Sequence, residues 1–73
     1  MSKFKLTLKK LESLEVGEKF IRKDFITELW GEYNYFINTS FSQMFYRAKH
    51  KINDENENKK YFRSIKNEII RIF

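Results

Sequence analysis

Cysteine is absent from this 73-residue chain and histidine occurs once, at His50, which limits how the fold can be held together. No disulfide can form, and a Cys/His metal site lacks its ligands. A chain this short also builds a small core with little surplus stability. Ring area is what compensates: eight Phe, four Tyr and one Trp bury a large apolar surface per residue. Part of that ring surplus is expected at a contact between two copies, as a homodimer.

The apolar residues form two kinds of pattern, separated by the polar, acidic residues 54–58, which read as an exposed loop. Ahead of that loop the spacing is helical. Leu8, Leu11 and Leu14 predict a helix over about 7–14, with Thr7 as its N-cap and residues 3–6 as an extended lead-in. Residues 15–18 read as a turn and Lys19-Phe20-Ile21 as a short strand. Asp24 reads as the N-cap of a second short helix that stops at Gly31. Residues 32–39 read as a connector whose aromatics pack back on the core. Ser40-Phe41-Ser42-Gln43 has the form of a capping box, and Phe41, Met44, Phe45, Ala48 and Ile52 follow at helical spacing. That predicts a helix over 40–52 with one continuous buried stripe.

Beyond the loop the period changes. Residues 61–73 are rich in β-branched and aromatic side chains around a turn-like Lys66-Asn67-Glu68, predicting a β-hairpin. With a three-residue turn, Arg63 would lie opposite Arg71, and Phe62, Ser64, Ile70 and Ile72 would face inward. A two-residue turn would separate the two arginines. The expected class is α+β: one domain over residues 1–73, with three short helices, a small antiparallel sheet and a C-terminal hairpin. No apolar run exceeds three residues, so neither a membrane span nor a signal peptide is expected. The absence of cysteine fits the reducing cytoplasm.

Charge is unevenly placed. The net charge is +5, and residues 59–73 carry five Lys/Arg against one acid. A basic excess confined to one element is the footprint of a nucleic-acid binder, set against the plainer reading of a solvated surface. On a helical wheel with the Phe41 stripe inward, Gln43, Tyr46, Arg47 and His50 fall outward, with Lys49 and Lys51 nearer the edges. Gln can bond an adenine edge twice and Arg a guanine edge twice, while Tyr, Lys and His suit phosphates or edges. No acid interrupts residues 41–53. In the hairpin region Lys59, Lys60, Arg63, Lys66, Asn67 and Arg71 are the candidate contacts.

The element order, carried by Leu8/Leu11/Leu14, Gly17-Glu18-Lys19-Phe20, Asp24-Phe25, Phe41/Met44/Phe45/Ala48 and the closing hairpin, resembles the winged helix-turn-helix family. The resemblance spans nearly the whole chain, and the chain departs from it in the long aromatic connector. It implies a double-stranded DNA-binding protein whose third helix enters the major groove and whose hairpin is the wing. In size and basic hairpin the chain is also similar to small accessory DNA-binding proteins of plasmid transfer complexes and to phage regulators. The partners expected are DNA, a second copy, and a further protein in a nucleoprotein complex, with no membrane.

Catalysis is not expected. His50 has no cysteine, no second histidine and no serine–carboxylate set beside it, and no phosphate-cradling glycine loop is present. No cofactor or metal is expected either. The rival reading is a small protein-binding module that occupies the nucleic-acid surface of another protein, using the surplus aromatics and a sheet edge.

Overall fold

A computed structural model describes residues 2–54 and 61–72. The elements run α1 (Lys3–Ser13), β1 (Lys19–Ile21), α2 (Arg22–Trp30), α3 (Tyr35–Asp54), β2 (Phe62–Ile65) and β3 (Glu68–Arg71). The three strands form one antiparallel sheet in the order β1-β3-β2. The expected α+β class, with three helices and a small antiparallel sheet, is what the chain adopts. Residues 55–58 of the acidic loop, together with Lys59, Lys60 and Phe73, lie outside the described residues.

α1 begins four residues earlier than its leucine spacing suggests. Ser2, not Thr7, is the N-cap, and its hydroxyl accepts from the Lys5 amide at 3.1 Å. The alternation of Phe4, Leu6 and Leu8 is accidental. Phe4 and Leu8 pack against the core with Leu11, whereas Leu6 is exposed. Thr7 is fully buried inside the helix, its hydroxyl donating to the Lys3 carbonyl at 2.8 Å. A buried hydroxyl needs a partner, and the carbonyl one turn back provides it.

α2 follows β1 without a break, so its N-cap position is Ile21, which has no polar side chain to offer. Asp24 therefore sits within the first turn rather than at the cap. The cap comes from across the sheet: the Asn67 carbonyl accepts from the Arg22 amide at 2.8 Å, and Asn67 Oδ1 from the Lys23 amide at 3.0 Å. At the other end Gly31 closes the helix with φ +79, a conformation glycine adopts without steric cost.

Only four residues, 31–34, separate α2 from α3. The longer connector expected over 32–39 does not exist, because α3 starts at Tyr35 and not at Ser40. Asn34 opens it, with Oδ1 accepting from the Ile37 amide at 2.9 Å and its carbonyl from the Asn38 amide. The third helix is therefore 20 residues long and not short. Its buried stripe is the expected one, with Phe41, Phe45 and Ala48 buried and Met44 and Ile52 packed at the margin. Phe41 is central. It stacks on Phe45 and meets the edges of Phe25 and Trp30, at centroid distances of 5.9, 6.0 and 6.4 Å.

The hairpin turns on two residues, Lys66 and Asn67. The register pairs Phe62 with Arg71, Arg63 with Ile70, Ser64 with Ile69 and Ile65 with Glu68. Of the two turns the sequence left open, the two-residue one is adopted, and it separates Arg63 from Arg71. In this register Phe62 and Ser64 share the inner face with Ile69 and not with Ile70, and Ile72 is exposed. The cause is tertiary. Asn67 must reach the start of α2, and that contact holds the tip against the helix.

Candidate nucleic-acid interface

The outward face of α3 gathers much of what the sequence singled out. Gln43, Tyr46, Arg47 and His50 are all exposed there. The Tyr46 and His50 rings stack one helical turn apart, 5.8 Å between centroids and 7° from parallel. No carboxylate occurs between Tyr35 and Asn53.

The two flanks of that face are built differently. On one side α1 packs alongside, and the Arg47 guanidinium lies 5.3 Å over the Phe4 ring. On the other, Tyr46, Lys49, His50 and Asn53 line a groove of about 260 Å³ closed by Phe62 of β2. Lys49 is half-buried there, its ammonium 5.4 Å from the Phe45 ring and 5.9 Å from the Tyr46 ring. Cations seated on ring faces keep their charge while losing some rotamer freedom in advance, so less is lost when they bind an anion. The ring surplus noticed in the sequence is spent in part on this seating.

The hairpin candidates divide. Arg63 is exposed on the edge strand β2, and, following the buried Phe62, it belongs to the opposite, outer face of the sheet. Lys66 is exposed in the turn, with φ +53. Asn67 is turned to capping α2. Arg71 points to the inner side of the sheet. It is half-buried, donates to the Leu14 carbonyl at 2.8 Å, and lies over the rings of Tyr61 and Phe62. The structure thus brings Tyr46, Lys49 and His50 next to the start of β2, and directs Asn67 and Arg71 into the fold.

Arg22, which the sequence did not single out, ties α2 to α3. Its guanidinium donates to Asn38 Oδ1 and the Asn38 carbonyl, and to the Ser42 hydroxyl, and lies 4.8 Å over the Phe41 ring. Burial pulls its pKa below the usual arginine value, an effect that Tyr33 opposes. Arg22 thereby joins the start of α2 to the first half of α3.

Sequence reasoning also missed that the helix already includes residues 35–39. Tyr35 and Phe36 are 76% and 79% exposed, so the aromatics of that segment do not fold back on the core. Their rings meet edge to face at 5.8 Å. Thr39, on the same outward side, has its hydroxyl donating to the Tyr35 carbonyl at 3.1 Å. The missed signal was Asn34 as a cap, followed by Ile37, Phe41 and Met44 at i, i+4 and i+7.

Comparison with protein-family models, with curated proteins and with solved structures finds no match to this chain. No described helix is long and apolar enough to cross a membrane. Among the described residues no three His, Asp or Glu side chains gather in a way that could hold a metal ion.

Proposed function

We propose that this protein binds double-stranded DNA as an accessory or regulatory protein of a mobile element such as a plasmid or phage. It acts as a winged helix-turn-helix without catalysis. The observation that carries this reading is the acid-free outward face of α3, where Gln43, Tyr46, Arg47 and His50 stand together. An α-helix about 10–12 Å across fits the major groove, and this face offers both hydrogen-bonding side chains and cations to it. The element order, the four-residue link between α2 and α3, and the strand order β1-β3-β2 support the same assignment. The hairpin contributes through Arg63 and Lys66, next to the duplex backbone. Cytoplasmic location and action as a dimer on paired half-sites belong to this proposal.

The rival reading draws on Tyr33, Tyr35 and Phe36, all exposed, which would anchor a protein partner through apolar contact. Salt separates the two. DNA binding driven by phosphate contacts weakens linearly on a log–log plot against salt, whereas apolar docking barely responds. The test is binding to random-sequence duplexes across a salt series, with Arg47→Ala/Arg63→Ala in parallel. Tight binding at low salt with a steep negative slope, shallower by about two in the double variant, is expected. A folded protein that ignores duplex DNA at low salt would leave the protein-partner reading in possession.

A further inference from the structure

The front of α3 carries a second kind of chemistry that the basic residues do not explain. Phe36, Thr39 and Gln43 lie at i, i+3 and i+7 on one side of the helix, all exposed. Phe36 presents a nearly bare ring, steadied by the edge-to-face contact with Tyr35. Thr39 commits its hydroxyl proton to the Tyr35 carbonyl, and its methyl adds an apolar group to the row. Gln43 adds an amide with one donor and one acceptor end.

We infer that this row reads A·T base pairs in the major groove, Phe36 and Thr39 against thymine methyls and Gln43 on an adenine edge. The inference rests on the DNA-binding reading above and adds the class of base pair. Two independent chemistries converge on it. The thymine C5-methyl is the apolar group that unmodified base pairs display in the major groove, and a bare ring gains by covering it. A glutamine amide matches the donor and acceptor of adenine N6 and N7, which belong to the same pair.

The spacing fits. Phe36 to Gln43 spans about 10.5 Å of helix, close to three base-pair steps of about 3.4 Å each. Arg47, the residue on this face that would favour guanine, is drawn to the flank, with its guanidinium over the Phe4 ring. From there it serves a phosphate better than the groove floor.

Replacing thymine by deoxyuridine deletes the methyl and keeps the base pairing, which makes it the decisive probe. Three duplexes of equal length would be compared for the full chain: an A·T duplex, the same duplex with every thymine replaced by deoxyuridine, and a G·C duplex. Phe36→Ala and Gln43→Ala would be run beside the wild type. Both side chains are exposed, so the variants are expected to fold, and circular dichroism checks that they do.

The wild type should prefer the A·T duplex over the G·C duplex about tenfold or more. Each contacted methyl lost to deoxyuridine should weaken it about fourfold. Phe36→Ala should lose its own share of the thymine-over-deoxyuridine difference and keep about the fourfold that the Thr39 contact supplies, and Gln43→Ala should lose most of the preference over G·C. Equal wild-type affinity for thymine and deoxyuridine duplexes overturns the inference, while salt-dependent binding to all three leaves the DNA reading standing. No binding to any duplex at low salt overturns both.

Discussion

Asn67 shows how one residue can settle a register that its neighbours leave open. The last residue of β1 is also the N-cap position of α2, and an isoleucine there serves the strand while leaving the helix start without an acceptor. Asn67 provides it from the hairpin turn, with both its carbonyl and its side-chain oxygen. Asn67→Ala removes the side-chain half of that cap and should destabilise the fold by about 1 kcal/mol, typical of a lost N-cap. Asn67→Asp keeps the acceptor and places a negative charge at the positive end of the helix dipole, so it should match or exceed the wild type. Urea denaturation of the three proteins checks this. An alanine midpoint unchanged from wild type would mean that Asn67 is not the cap.

At the scale of elements, the two long helices were legible in their buried stripes but not in their starts. Burial of Phe41, Phe45 and Ala48 imposes the helical period directly, so the stripe appears in the sequence. A helix start depends on which of several polar residues captures the free amides, and here two plausible caps lost. Ser40 and Gln43 have the right spacing for a capping box, yet both lie inside α3, and Asn34 holds the cap. Asn34→Ala should therefore cost about 1 kcal/mol, and Ser40→Ala should stay within about 0.5 kcal/mol of wild type, both read by thermal or urea unfolding. The reverse order would restore a start at Ser40. The same late start kept Tyr35, Phe36 and Thr39 off the helical wheel, because residues assigned to a connector are not placed on one. Gln43, Tyr46, Arg47 and His50 were found because they follow the stripe. The length of the hairpin turn stayed open in the sequence for another reason: the contact of Asn67 with the start of α2, which favours the two-residue turn, is distant, and no local pattern reports it.

Across the whole molecule, the cationic side chains serve two ends that charge counting alone cannot tell apart. Arg71 and Arg63 are eight residues apart on one hairpin, and both looked like phosphate ligands. Arg71 lies on the inner side of the sheet and joins β3 to the end of α1 through the Leu14 carbonyl, its guanidinium resting on Tyr61 and Phe62. Losing a half-buried bond of this kind should destabilise Arg71→Ala by about 1.5–3 kcal/mol. Arg63 is exposed on the edge strand, and Arg63→Ala should change stability by less than about 0.5 kcal/mol. In DNA binding the order should invert. Arg63→Ala should make the salt slope shallower by about 0.9, one phosphate's share. Arg71→Ala, measured where it is fully folded, should keep the wild-type slope. Unfolding curves and salt titrations on the same two variants would separate the roles. Equal loss of slope in both would put Arg71 at the backbone as well, and the inner side of the sheet would then have to open when DNA binds.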